Sequence, residues 1–180
     1  MLKAIKTLFL ISILTLCGCN SSNYNKIIQY KVSNNAYGTA FYLSKNNKDY
    51  LVTAKHLFDK DAYLELADVY YRGSEITNGF NISSIKIDKN TKDIPIKIVG
   101  YYLGKMQVRK GYICGRFKNE SIDLIFTTAK VERGMSGSPC IDKNGRVIGV
   151  LSLLLEGERK AKSAIVPIEY VKGNWFVYYI

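Results

Sequence analysis

The feature that most constrains the fold is a series of short apolar runs, rich in Ile, Val, Tyr and Thr and separated by Asn, Lys, Asp and Gly. Such runs are typical of β-strands, and no segment after the N-terminal region shows a sustained helical period. The runs predict strands at 38–43, 50–54, 63–70, 82–87, 94–101, 108–117, 122–128, 139–141, 147–153 and 163–167. Asn144-Gly145, between two of these runs, is a typical hairpin-turn pair. The sequence therefore predicts an all-β protein.

The N-terminal region differs in character from the rest. Two lysines precede the apolar run 8–16, which is too short to cross a bilayer, since a spanning helix takes about 20 apolar residues. The sequence Leu16-Cys17-Gly18-Cys19 then resembles the bacterial lipobox, which implies cleavage after Gly18 and a lipid on Cys19. We interpret 1–18 as a lipoprotein signal peptide and 19–35 as a tether, in an exported, membrane-anchored protein of the cell envelope. Acylation of Cys17 and a plain secretory signal are the alternatives.

The charge of the remaining chain narrows the choice of partners. Removal of 1–18 leaves 162 of the 180 residues, enough for one domain, and lowers the formal net charge from +11 to +9 because two lysines are lost. A basic balance can indicate a nucleic-acid partner, but the lysines are scattered along the chain and not clustered. A solvated basic surface near anionic lipid headgroups explains them as well. We therefore expect no nucleic-acid partner, and the oligomeric state stays open.

The candidate nucleophile is Ser136, which lies in the glycine-flanked turn Gly134-Met135-Ser136-Gly137-Ser138-Pro139. A serine hydroxyl attacks a carbonyl only when a base removes its proton and hydrogen-bond donors stabilise the oxyanion. The base candidate is His56, the only histidine of the chain, which follows the predicted strand 50–54. The candidate acid is Asp93, which precedes the predicted strand 94–101. Each of the three residues has an ordinary structural explanation when it is taken alone.

Their order along the chain is more informative. His, then Asp, then Ser is the order of chymotrypsin-type hydrolases. An α/β-hydrolase needs its histidine after the serine, whereas His56 comes before it. A subtilisin-type order needs an aspartate before the histidine, and only Asp49 is available there. The order therefore disfavours both of those classes.

Several segments together resemble trypsin-like serine proteases of the bacterial branch that includes the HtrA and glutamyl-endopeptidase groups. The matching segments are 38–43, 51–56, 87–96, 134–139 and 145–150. The resemblance implies a protease domain at 36–180 with two packed antiparallel six-stranded β-barrels. The first barrel is expected at about 36–102 and the second at about 105–180, with a boundary near Leu103-Gly104. Because the interval from Asp93 to Ser136 is shorter than usual for the family, we expect the second barrel to be shortened.

The resemblance also implies roles for the site residues in a serine endopeptidase that acts on protein or peptide substrates. Ser136 would attack the scissile carbonyl, His56 would take its proton, and Asp93 would orient the imidazole. The N–H groups of Gly134 and Ser136 would form the oxyanion hole, with no cofactor or metal. Lys130 would occupy the floor of the primary pocket and favour an acidic side chain, although an exposed strand-end lysine is the simpler alternative. An extended substrate would pair with the backbone of four residues: Gly149, Val150, Leu151 and Ser152.

Two further questions stay open at this point. Export favours a disulfide between Cys114 and Cys140, but two buried thiols are an equal alternative. A zinc site is not expected, since the chain has a single histidine and no Cys-x-x-Cys pair. The rival to an enzyme is a catalytically inactive lipoprotein of the same fold that binds peptides or a partner. Labelling with a fluorophosphonate distinguishes the two.

Overall fold

The computed structural model describes residues 24–33, 36–57, 70–74, 78–157 and 159–171. The described part contains ten β-strands and two single-turn 3₁₀ helices, so the all-β prediction is confirmed. No helix in these ranges is long and apolar enough to cross a bilayer. The strands are β1 (Ile27–Ser33), β2 (Ala36–Lys45), β3 (Lys48–Thr53), β4 (Tyr70–Ser74), β5 (Pro95–Tyr102), β6 (Lys105–Lys118), β7 (Asp123–Thr127), β8 (Pro139–Ile141), β9 (Val147–Leu154) and β10 (Ser163–Pro167).

The first half of the chain forms a four-stranded antiparallel sheet in the order β1-β2-β3-β4. The β2–β3 hairpin turns at Asn46 and Asn47, whose φ angles of 52° and 58° are left-handed. Asparagine tolerates this conformation better than most residues, which explains its use in this turn. β3 leads directly into the 3₁₀ helix Lys55–Leu57, where His56 is buried. The sheet therefore delivers the only histidine to the end of β3.

The second half closes into a six-stranded barrel in the order β10-β7-β6-β5-β8-β9. The expected shortening of the second barrel is therefore wrong: this barrel is complete, and the part of the first half that the structure describes has four strands. The error has a physical cause. β5, which we had counted in the first barrel, pairs with β6 on one side and with β8 on the other.

The boundary between the halves also differs from the prediction. Leu103 and Gly104 form the two-residue turn of the β5–β6 hairpin, with φ angles of 48° and 76°, and do not separate two barrels. The chain crosses earlier, because the Phe80 N–H donates to the first sheet at Tyr42 O (2.7 Å) and the Ser83 N–H donates to the barrel at Val147 O (2.8 Å). The second barrel therefore begins with β5, some ten residues after this crossing.

Two apolar clusters stabilise this arrangement. One fills the barrel, and the other joins the first sheet to the outside of the barrel. In the second cluster the rings of Phe41 and Phe80 meet edge to face, with centroids 6.2 Å apart. Fully burying a side chain of this size contributes about 1.5–3 kcal/mol, so this joint holds the two halves in a fixed relation. The largest fully buried side chains include Phe41, Leu43, Ile98, Ile113, Ile125, Met135, Leu151 and Ile165.

Further predictions concern individual segments. β1 lies inside the predicted tether 19–35, so the domain begins earlier than expected. The predicted strand 82–87 is wrong, since the segment contains only an isolated bridge between Ile82 and Val147. The predicted strand 63–70, the signal peptide 1–18 and Cys19 lie wholly or almost wholly outside the described residues. The strands predicted at 139–141 and 163–167 have the predicted bounds.

Candidate functional site

A cleft of about 460 Å³ is lined by both His56 and Ser136. His56 comes from the end of β3 in the first half, and Ser136 comes from the turn that precedes β8 in the second. The two candidate catalytic residues are 80 positions apart in the sequence, and they line the same cleft because the two halves pack together. The cleft therefore combines a candidate base with a candidate nucleophile.

The turn that carries Ser136 is held on both sides by backbone hydrogen bonds. The Thr39 N–H of β2 donates to Ser136 O at 2.8 Å, and the Gly137 N–H donates to Leu151 O of β9 at 2.8 Å. Within the turn, the Ser138 N–H donates to Met135 O at 3.0 Å. Because both halves of the molecule hold the turn, the position of Ser136 is determined by the tertiary structure and not by the turn alone.

Gly137 is required by this packing. Its φ is +85°, and a Cβ added there would lie 2.0 Å from Thr39 O and 2.2 Å from the Thr53 hydroxyl oxygen. A real Cβ cannot approach backbone so closely, so the turn must shift if any side chain is present. The glycine after the candidate nucleophile is thus needed for the contact between the two halves.

The turn that carries Ser136 contains two backbone N–H groups without an acceptor among the described residues. Within the described part of the chain, the N–H groups of Gly134 and Ser136 donate no hydrogen bond, whereas the Met135 N–H between them donates to Glu132 O at 3.1 Å. Gly134 is left-handed, with φ +93°. An unpaired backbone N–H in a half-buried turn is unusual, because most such groups find an acceptor. Both residues line the cleft, so their N–H groups are candidate donors to an oxygen atom of a ligand.

The structure does not bring Asp93 to this cleft, which corrects its assignment as the triad acid. Its N–H donates to Ile113 O at 2.7 Å, so Asp93 belongs to the barrel that also carries Ser136, at its outer surface. The Asp93 side chain is 76% exposed, and its carboxylate forms an ion pair with Lys160 at 3.7 Å. The order His, Asp, Ser is satisfied by several aspartates, and order alone selected the wrong one.

The proposed substrate strand is only partly right. Gly149 and Val150 are paired on both sides, with β8 and with β10, so their backbone cannot receive a substrate. Leu151 lines the cleft, but its N–H donates to Ser138 O and its carbonyl accepts from Gly137. Beyond Leu151, the strand that pairs with β9 in the described part of the chain is β10. Of the four predicted residues, Leu151 and Ser152 line the cleft, and Leu153 and Leu154 of the same strand line it as well.

Lys130 is exposed and does not line the cleft, so its assignment to the pocket floor is not supported. The next residue, Val131, is 5% exposed and does line the cleft. Alternation along an extended backbone turns neighbouring side chains to opposite sides, which explains why Val131 faces inward and Lys130 outward. Val131 shares the lining of the cleft with the apolar residues Leu151, Leu153 and Leu154 and with the charged residues Glu132, Arg133 and Glu156.

Cys114 and Cys140 are both free thiols, so the disulfide is not formed. Cys140 is packed inside the barrel. On β6, Ile113 faces the inside of the barrel, and the next residue, Cys114, is less buried and faces the outside. Two side chains on opposite faces of a barrel wall cannot be bridged without backbone movement. Burial raises the pKa of both thiols, and much more for Cys140.

An ion pair at the rim of the cleft was not predicted. Arg133, next to Gly134, lies 3.5 Å from Glu156, which follows β9, and both residues line the cleft. The preceding residue, Glu132, is paired with Arg109 of β6 at 3.4 Å. The nearness of Arg133 to the serine motif was visible in the sequence, but its partner follows a different strand. Among the described residues no cluster of His, Cys, Asp and Glu side chains is placed to hold a metal ion.

Comparisons with known proteins bear on the family and on the fold. Residues 75–150 match the family model of the trypsin-like peptidase domain. No curated protein matches the chain. A serine-to-alanine mutant of Rv3671c from M. tuberculosis, in its inactive form, matches with a TM-score of 0.62 at 16% identity, over 83% of this chain and 84% of that one. Deg5 matches with a TM-score of 0.55 at 18% identity, over 84% and 90%.

The HtrA-type protease AlgW with a tripeptide matches with a TM-score of 0.62 at 18% identity, over 82% of this chain and 59% of that one. This chain therefore spans little more than half of AlgW. At such identities the likeness shows the fold, which is chymotrypsin-like.

Proposed function

We propose that this chain, of which residues 75–150 match the family model of the trypsin-like peptidase domain, is a serine endopeptidase with Ser136 as nucleophile and His56 as base. The observation that carries the proposal is the single cleft lined by both side chains. The stability of the fold does not require the only histidine and a serine 80 residues away to line the same cleft. Their convergence at a turn with two available N–H donors is what acyl transfer requires.

The chemistry follows from this arrangement. The Ser136 hydroxyl oxygen forms a bond to the scissile carbonyl carbon as His56 takes the hydroxyl proton. The resulting oxyanion would accept hydrogen bonds from the N–H groups of Gly134 and Ser136. His56 then gives the proton to the leaving amine, the C–N bond breaks, and water hydrolyses the acyl-enzyme by the same steps in reverse.

We assign the acid that orients His56 to the first half of the molecule, from the register of β3 and β4. β4 begins at Tyr70, which pairs with Thr53, three residues before His56. Because β4 runs antiparallel to β3, the chain that precedes Tyr70 approaches from the end of β3 that leads to His56. Asp68 precedes Tyr70 by two positions in the sequence, although it lies outside the described residues. On this register Asp68 replaces Asp93 as our assignment of the orienting acid.

The cleft favours an apolar side chain on the acyl side of the scissile bond. Val131, Leu151 and Leu154 line it, and burying an apolar group against them would stabilise the complex by about 25 cal/mol per Å². A peptide in extended form would pair with β9 beyond Leu151. Cleavage after apolar residues, unchanged by Lys130→Ala, is the expected specificity.

The location remains a proposal from the sequence. Leu16-Cys17-Gly18-Cys19 supports lipidation of Cys19 and retention in the cell envelope. Mass spectrometry of the membrane fraction should find an acylated N-terminal Cys19, and Cys19→Ser should release soluble protein. Unmodified Cys19 in the mature membrane-bound protein would rule out the anchor.

The proposed activity is tested by active-site labelling combined with digestion. A fluorophosphonate should label the full protein, with loss of the label in Ser136→Ala and in His56→Ala. A peptide library should be cut by the wild type alone. Correctly folded wild type that neither labels nor cleaves would favour the inactive, partner-binding alternative.

A further inference from the structure

A second cleft, of about 670 Å³, adjoins the one that holds His56 and Ser136. Its walls include Tyr101 and Leu103 of the β5–β6 hairpin. Three residues line both clefts: Tyr37, Arg133 and Gly134. The two clefts are therefore parts of one continuous groove that passes the oxyanion donor Gly134.

Leu103 is an unexpected residue for its position. It occupies the first place of a two-residue hairpin turn, with φ +48°, where Asn, Asp or Gly is usual. A left-handed conformation costs an ordinary L-residue about 1–2 kcal/mol. The side chain is also 80% exposed, so burial does not offset that cost. Neither the conformation of the turn nor packing in the core explains a leucine at this position. Its place in the lining of the second cleft does explain it.

The hairpin is fixed relative to the nucleophile. The Tyr101 N–H donates to the Thr39 hydroxyl oxygen at 3.0 Å, and the Thr39 N–H donates to Ser136 O at 2.8 Å. Two hydrogen bonds thus connect the strand that ends at the Leu103 turn with the turn of the nucleophile. The second cleft is held at a constant distance from Ser136, as a binding site for part of a substrate must be.

We propose that this second cleft binds the leaving-group side of the substrate, and that Leu103, with Tyr37 and Tyr101, selects a bulky apolar side chain there. The inference rests on the proposed function. A peptide that crosses Ser136 has one half along the end of β9, on the acyl side. The other half passes Gly134 and enters the second cleft, where three apolar or aromatic side chains surround it.

The test uses substrates that separate the two halves. Two peptides share the residues up to the scissile bond and differ after it, with Leu in one and Ser in the other. A third substrate is an ester with the same acyl half and a small alcohol as leaving group. Leu103→Asn should lower kcat/KM for the Leu peptide about tenfold and leave the Ser peptide and the ester nearly unchanged. Asparagine suits the left-handed turn, so the hairpin is retained.

Phe117→Asn is the matched control. Phe117 is also an exposed apolar residue of the same hairpin, 47% exposed, but it lies at the far end of β6 and lines neither cleft. This variant should leave all three rates unchanged. The inference is overturned if Leu103→Asn slows all three substrates equally, or slows none of them. If the wild type hydrolyses neither ester nor peptide, the proposed function fails and the inference fails with it.

Discussion

The backbone N–H of Thr39 donates a 2.8 Å hydrogen bond to the carbonyl oxygen of Ser136. Thr39 lies in the middle of β2, and its own carbonyl accepts a 2.6 Å hydrogen bond from the hydroxyl of Thr53, at the end of β3. His56 follows Thr53 by three residues. One residue of the first sheet therefore contacts both the turn of the nucleophile and the strand that leads to the base, which gives the two side chains a common frame.

Ser136 and His56 should behave as one catalytic unit. We expect Ser136→Ala and His56→Ala each to lower kcat by at least about a thousandfold, because neither group reacts without the other. The double variant should be hardly slower than either single variant. The measurement is steady-state hydrolysis of a peptide, with circular dichroism as a check of folding. Additive losses in the double variant would contradict the pairing.

The choice between Asp68 and Asp93 can be made by two matched substitutions. Asp68→Asn should lower kcat about a thousandfold or more, because the imidazole then takes the wrong tautomer. Asp93→Asn should change kcat less than about twofold, since its exposed carboxylate contacts Lys160 and not the cleft. Equal stability of both variants to urea is the control. Loss of activity in the Asp93 variant alone would restore the original assignment.

Gly137→Ala should be far more damaging than Gly145→Ala. Both glycines are left-handed, with φ +85° and +75°, so each alanine incurs about 1–2 kcal/mol of backbone strain. A Cβ at Gly137 also meets Thr39 O at 2.0 Å, while nothing lies within 4 Å of one at Gly145. For Gly137→Ala we expect the free energy of unfolding to fall by about 3 kcal/mol or more. We expect a loss of peptide hydrolysis in this variant and not in Gly145→Ala. Urea denaturation and peptide hydrolysis measure the two effects.

Asp123 should carry part of the acid sensitivity of the fold. Its buried carboxylate accepts two hydrogen bonds from Arg116, at 2.7 and 2.6 Å, and others from Tyr170 and Lys118. Burial acts to raise the pKa of Asp123, but these bonds outweigh it and hold the pKa below its usual value. The stabilisation is therefore complete above the unfolded pKa of about 3.9, and it is lost as the pH falls through the lower folded value.

Asp123→Asn should accordingly lower the free energy of unfolding at pH 7 by about 3 kcal/mol and flatten its decline between about pH 5 and 2. Asp88→Asn is the control, because Asp88 is an exposed aspartate whose pKa is also lowered, by hydrogen bonds from Thr91 and Asn90. It should leave the pH 7 value nearly unchanged. The same pH dependence in wild type and in Asp123→Asn would contradict the role of this carboxylate.

The two thiols should react at very different rates. Cys114 is partly exposed on the outside of β6, whereas Cys140 is completely buried and its pKa is strongly raised by burial. In the native protein a thiol reagent should modify Cys114 and spare Cys140, and in denaturant without reductant both should react. If Cys114 and Cys140 formed a disulfide, neither of them would react with the reagent, in the native protein or in denaturant without reductant. Such a result would restore the disulfide.

The sequence was most informative where chemistry and local pattern coincide. β8 and β10 have the predicted bounds because Asn144-Gly145 and the apolar runs specify them locally. Ser136 and His56 were selected by residue type, and they share a cleft. Asp93 failed because an aspartate before a strand is common, and which barrel that strand joins is a matter of pairing. The same mistake about β5 displaced the barrel boundary to the Leu103-Gly104 turn.

By itself the sequence determined the all-β class, the strand runs and the residue types able to do acyl transfer, because periodicity and turn chemistry act over a few neighbouring residues. Only the tertiary structure decided which strands close the barrel, and therefore which side chains face the cleft. It turned Lys130 outward and Val131 inward, excluded Gly149 and Val150 from substrate pairing, and separated Cys114 from Cys140. These outcomes depend on hydrogen bonds and packing between residues far apart in the chain, such as Thr39 and Ser136, which no local pattern encodes.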